Sequence, residues 1–153
     1  MKFSGEISLP AAPQAVFDRL RDANFFASCV DGVSGLTELT PDRYAARFIT
    51  RIAYIRFEFD VTVDIARAER PNSIQAQIEG KPHGVVGRLT AMSAARFEED
   101  GAGTKVIYDI EANLTGRLGS IGQPVLKSKA KEMERQFVGK LREAFPGAGE
   151  QAA

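Results

Sequence analysis

Between Ile55 and Ile65 the sequence reads IRFEFDVTVDI. Ile55, Phe57, Phe59, Val61, Val63 and Ile65 share one parity, and Arg56, Glu58, Asp60, Thr62 and Asp64 share the other. Side chains alternate across a pleated strand, so this period of two specifies a half-buried β-strand with one wet side. A strand of that length spans about 36 Å at 3.3 Å per residue. Whatever covers its apolar face must be of similar length: a second sheet, a long helix or a bound molecule.

The rest of the chain supplies a sheet and one such helix. Phe3, Gly5, Ile7 and Leu9 alternate with polar residues in a first strand, and Pro10 and Pro13 bracket the start of a helix through Val16, Phe17 and Leu20. NFFASCVDG predicts a second short helix, with Asn24 as its cap and Gly32 as its stop. From Leu36 to Leu114 strand periodicity returns between the turn-rich stretches TPDR, RPNS, GKPHG and EEDGAGT, which reads as an antiparallel meander. Its inward positions include Tyr44, Ala46 and Phe48, then Leu89 to Phe97, then Val106 to Leu114 at alternate residues. Arg43, Arg47, Arg96, Lys105, Asp109 and Glu111 fall outward, where solvation or cross-strand pairing accounts for them. After Leu118 the period changes. Val125, Leu126, Ala130, Met133, Phe137, Leu141 and Ala144 recur at spacings of three and four, the apolar face of a helix from Gln123 to Phe145. Such a helix is roughly 34 Å long at 1.5 Å per residue, enough to lie across the sheet.

Composition excludes several functions. Twenty basic residues balance twenty acidic ones, so attraction to nucleic acid or an anionic membrane has to come from a local patch. The strands show no aromatic-basic stacking platform, and nucleic-acid binding is the weakest reading. One cysteine, Cys29, allows no internal disulfide, and one histidine, His83, cannot build a Cys/His metal site. Cofactors held by metal or covalent linkage are therefore not expected. The N-terminus lacks an apolar core of signal-peptide length and no run reaches the roughly 20 apolar residues of a membrane span, so a cytoplasmic protein is expected.

One helix cannot cover six or seven long strands. A strongly curved sheet gripping it leaves space between the layers, which otherwise must meet face to face. Ala91, Ser93 and Ala95 sit mid-strand on an inward face, as do Ala46 and Ala112, whereas Ile55 to Ile65 presents bulky groups. Small opposite large also describes an interdigitated solid core. The helix shortage favours a cavity.

The stretches LPAAPQAVFDRLRD, SCVDGVSGL, RPNS and EEDGAGTKVIYDIEANLTGRLGSIGQPVL, followed by the amphipathic helix, resemble the carbon monoxide dehydrogenase CoxG family. The resemblance implies the START-like, polyketide-cyclase-like (SRPBCC) helix-grip fold: an α+β domain over residues 1–145, with a flexible tail at 146–153. It also implies a hydrophobic ligand under the long helix, such as a quinone or another lipid-like molecule, and a non-enzymatic accessory or recruitment role toward a molybdenum hydroxylase that oxidises carbon monoxide. Relatives tend to carry glycine and proline near Ala53 and Tyr54 and a proline where Asp31 stands, so the rim here is shaped differently. Many relatives continue into an apolar tail, whereas this sequence ends shortly after Phe145, and self-tethering to a membrane is not expected.

The candidate ligand-lining residues are Phe48, Phe57, Phe59, Val61, Leu89, Ala91, Ser93, Ala95, Tyr108, Ile110, Ala112, Val125, Met133 and Phe137, with Tyr108, Ser93 and Tyr44 as inward polar groups to orient a head group. No catalytic residues are assigned, because Glu58, Asp60, Asp64, Asp109 and Glu111 all have outward parity. Two alternatives remain open: a cyclase- or hydratase-like enzyme using His83 or Asp31, and a ligand-free module that docks on the oxidoreductase. Excess Lys and Arg on the last helix also leaves open a peripheral contact at the inner face of the membrane.

Overall fold

The alternation that starts at Ile55 becomes the longest strand in a computed structural model of the chain, which describes residues 1–146. From residue 147 onward, the expected tail lies outside the described residues. The order is β1 (Lys2–Leu9), α1 (Pro13–Arg21), α2 (Ala23–Ser28), β2 (Val33–Thr40), β3 (Arg43–Ile52), β4 (Ile55–Glu69), β5 (Ser73–Pro82), β6 (Gly87–Asp100), β7 (Gly103–Gly116), a 3₁₀ turn (Gly119–Ile121) and α3 (Gln123–Ala144). The strands form one seven-stranded antiparallel sheet in the order β1-β7-β6-β5-β4-β3-β2. Five successive hairpins run from β2 to β7, and β1 then pairs with β7. The first two strands thus sit at opposite edges of the sheet. The α1–α2 segment has to cross from one edge to the other.

β4 continues four residues past Ile65, to Glu69. A bulge between Ile65 and Arg67 shifts its register with β5, which breaks the period of two where the sequence pattern stopped. One further expectation needs correction. Asp22 caps α2, not Asn24: its carboxylate accepts from the backbone N–H of Asn24 and Phe25. α3 begins at Gln123, where its apolar spacing placed it, and Leu118, fully buried, lies in the turn before it.

Two separate apolar clusters hold the layers together. In the first, Val16 and Phe17 of α1 and Leu141 of α3 pack on Ile7, Leu9, Phe97 and Val106 of the sheet. Phe17 meets Phe97 edge-on at 5.6 Å between centroids. In the second, Leu118 and Leu126 pack on Ile52, Phe57 and Phe59. The long helix is therefore anchored near both ends, by Leu126 and by Leu141. The outward charges pair as expected, Arg47 with Glu58 at 3.1 Å and Arg43 with Asp64 at 3.7 Å.

Candidate functional site: the space between sheet and helix

Strand register aligns the inward residues into rows across the sheet. One row runs Tyr44, Val63, Ile78, Ala91, Ala112 from β3 to β7. The next runs Ile65, Ala76, Ser93, Ile110 from β4 to β7 and ends on Phe3 of β1. Both rows lie between the clusters and none of their residues joins either one. Apart from Ala76, they are only half-buried although they sit on the concave, apolar side. The sheet therefore presents an uncovered band under the middle of α3.

Open space lies along the seam between α3 and β3. β2 begins pairing at Val33, opposite Phe48, so the last residues of β3 have no strand beyond them. Here Val30, Asp31, Gly32, Ile49, Thr50, Lys129, Met133 and Gln136 line a cavity of about 130 Å³. A cleft of about 370 Å³ lies beside Arg51, Ile52, Ala53, Pro124, Val125 and Ser128, and Lys129 borders both spaces. The larger falls inside the roughly 300–1,000 Å³ range of ligand pockets, and the smaller falls below it. Gly32 shapes the seam. Its φ is +91°, and a Cβ there would lie 2.1 Å from the carbonyl oxygen of Ile49, so this turn requires glycine. Lys140 pairs with Asp31 and Phe26 packs on Phe137 at 5.0 Å, tying the α2–β2 segment to the C-terminal half of α3.

The fourteen candidate residues divide by place. Ala91, Ser93, Ile110 and Ala112 lie in the uncovered rows, and Met133 lines the seam. Phe48, Val61 and Leu89 fringe the second cluster, and Ala95 and Phe137 fringe the first. Phe57 and Phe59 are 6% and 2% exposed and are packed within the second cluster, with Phe59 stacked between Phe48 and Phe57. Val125 is displaced from the expected face: it is partly exposed and borders the outer cleft. Ile55, the first residue of the apolar pattern, is exposed at the hairpin tip.

Tyr108 also departs from expectation. Its ring lies over Gly5, where a Cβ would meet the hydroxyl at 2.2 Å, and its hydroxyl donates to Glu134 on α3. Burial, and then the adjacent Glu134 carboxylate, raise its pKa far above the ordinary phenol value. The hydroxyl thus joins sheet to helix, leaving Ser93 and Tyr44 as inward polar groups, and Tyr44 donates to the Pro41 carbonyl.

His83 and Cys29 do not form a dyad. The imidazole stands on the convex side, 2.8 Å from Asp60 and 3.8 Å from Glu58, whereas Cys29 is buried at the end of α2. Burial raises the Cys29 thiol, which keeps it protonated and unreactive. Among the described residues no group of His, Cys, Asp and Glu could hold a metal ion, and no helix is long and apolar enough to cross a membrane.

The sequence missed Val30, Ile49, Thr50, Lys129 and Gln136 as lining of the seam. Ile49 has outward parity, and only the late start of β2 brings it to open space.

Known structures share this architecture. A conserved protein from Geobacillus kaustophilus superposes with a TM-score of 0.86 at 21% identity, covering 95% of each chain. A protein from Thermus thermophilus gives 0.67 at 15% identity, covering 94% of this chain and 95% of its own. Ara h 8.0201 gives 0.65 at 10% identity, covering 95% and 97%. At these identities the likeness shows the START-like helix-grip fold. No curated protein matches the chain. The family model for CoxG, described as a subunit of carbon monoxide dehydrogenase, matches residues 5–145, and the chain belongs to that family.

Proposed function

We propose that the protein is a non-enzymatic binder of a hydrophobic, lipid-like ligand, with quinones the leading candidates, and that it serves a molybdenum-containing carbon monoxide dehydrogenase-type oxidoreductase as an accessory. The observation that carries this reading is the uncovered double row on the concave sheet, from Val63 and Ile78 to Ala91 and Ala112. Apolar surface left between two packed clusters is a cost unless something fills it, at roughly 25 cal/mol per Å² of apolar area. A ligand entering along the α3–β3 seam removes that area from water, and Ser93 offers a hydroxyl for its polar group. The strand carboxylates Glu58, Asp60, Asp64, Asp109 and Glu111 take outward register positions, which supports binding without catalysis.

The test is native mass spectrometry after gentle extraction, with thermal shifts on adding a short-chain quinone. A recovered lipid-like mass and a raised Tm in the wild type are expected, and both should be lost in Ala91→Phe/Ala112→Phe, which fills the rows. A fold-competent wild type that neither carries nor responds to any apolar probe would overturn the reading. For the partner, co-purification with the oxidoreductase is the expected outcome, and its absence at micromolar concentrations would remove the accessory role.

A further inference from the structure

Most polar side chains near the layer between sheet and helix are already committed. Tyr44 donates to the Pro41 carbonyl, Tyr108 donates to Glu134, and Asp31 pairs with Lys140. Three that line the α3–β3 seam have donors to spare. Among the described residues neither the Thr50 hydroxyl nor the Gln136 amide has a hydrogen-bond partner, and Lys129 has one, Glu132 at 3.3 Å. An ammonium carries three donor hydrogens, so most of the capacity of Lys129 is unused.

The fold gathers these groups from two elements. Lys129, Met133 and Gln136 stand at i, i+4 and i+7, a single stripe along α3 with an apolar residue between two polar ones. Thr50 lines the same cavity from β3, where it shares the inward parity of Phe48 and Ile52. The Lys129 side chain is only 20% exposed, the lowest value among the cations that form ion pairs. Holding an ammonium this far from water costs free energy unless its hydrogens find acceptors. The adjoining cavity of about 130 Å³ is too small for the body of a drug-sized ligand but has room for a head group.

The donors select the chemistry of that group. A lysine offers only donors, and a hydroxyl and an amide can each donate, so their shared complement is an oxygen acceptor. Charge narrows the choice. Each cation at the seam already has a carboxylate, Lys129 with Glu132 and Lys140 with Asp31, which leaves no surplus positive charge to compensate a desolvated anion. We propose that the seam cavity is a subsite for an uncharged carbonyl head group, with Lys129 its main donor, and that it decides which apolar molecules the protein accepts. This rests on the ligand-binding reading above and adds the residue that sets specificity. A site built to hydrogen-bond a polar group discriminates strongly against analogues that lack it, whereas an apolar wall alone does not.

Three probes of similar shape test the assignment: hexyltrimethyl-para-benzoquinone, whose ring has no open position for amine addition, hexyltrimethylbenzene and hexyltrimethylbenzoic acid. Affinities are read by displacement of a fluorescent apolar dye from the full chain. The wild type should bind the quinone most tightly. Lys129→Met should weaken quinone binding about tenfold, as loss of a hydrogen bond to a charged group does, and leave the hydrocarbon unchanged. Thr50→Val should weaken the quinone about threefold, and Glu132→Gln, which frees Lys129 of its carboxylate, should strengthen the acid. Circular dichroism should be the same in all variants. Tighter binding of the acid by the wild type would overturn the uncharged assignment. Loss of the quinone preference in Ser93→Ala but not in Lys129→Met would place the head group on the sheet and overturn the subsite. Equal affinity for quinone and hydrocarbon would also overturn it while leaving the apolar-ligand reading standing, and failure of all three probes to bind would remove both.

Discussion

Gly5 shows how a single missing Cβ links β1 to the long helix. The Tyr108 ring occupies the place a side chain would take, and this lets its hydroxyl reach Glu134. Gly5→Ala is expected to displace the ring, break that hydrogen bond and cost about 1–3 kcal/mol, as overpacking of a close contact does. Denaturant titration of Gly5→Ala against Tyr108→Phe checks this: the second variant should cost less, because it removes the hydroxyl without moving the ring. At the other end, Ala53 and Tyr54 both hold positive φ, +51° and +68°, which non-glycine residues adopt at a cost. Replacing them with Asn-Gly, the pair such a tight hairpin favours, should stabilise the fold by about 1–2 kcal/mol, read as a raised midpoint in denaturant titration.

Among elements, α3 divides sharply into ends and middle. Leu141 is fully buried in the first cluster and Leu126 is buried in the second, whereas Met133 lines open space and joins neither. Leu141→Ala should cost about 2–5 kcal/mol, and Met133→Ala no more than about 1 kcal/mol, because little area is buried there. Calorimetry of the two variants distinguishes this from a helix packed evenly along its length. α1 carries a second link, the paired hydrogen bonds from Arg70 to Asp18 at 2.8 and 2.9 Å. These hold the Asp18 carboxyl below its ordinary 3.8. A depressed carboxyl contributes stability above its unfolded value and loses it as pH falls through the folded one. The Tm difference between wild type and Asp18→Asn should therefore be small but positive at pH 7, should begin to shrink as pH drops toward 3.8, and should vanish once pH has fallen through the lower folded value.

For the molecule as a whole, the legible part of the sequence was the part that repeats. Period two gave the strands and their inward faces, and spacings of three and four gave α3, because each follows from local geometry. The bulge after Ile65 hid the end of β4, since one extra residue reverses every later parity. Periodicity also cannot separate the middle of a face from its end, and so Ile55 and Val125 read as interior although both are exposed. The uncovered rows were partly legible in Ala91, Ser93 and Ala112, but the seam at Ile49 and Lys129 depends on where β2 stops pairing with β3. That is a tertiary fact with no local signal.

The two-cluster attachment of α3 makes the helix a beam supported at its ends. A beam of this kind bows between its supports, so the distance from sheet to helix can follow the girth of an occupant while the supports stay fixed. Backbone amides near Met133 should then exchange hydrogen faster than those near Leu126 and Leu141, and should slow on addition of a bulky apolar molecule. Selectivity for ligand thickness would accordingly be weak, and selectivity for length, set by the spacing of the two supports, would be strong.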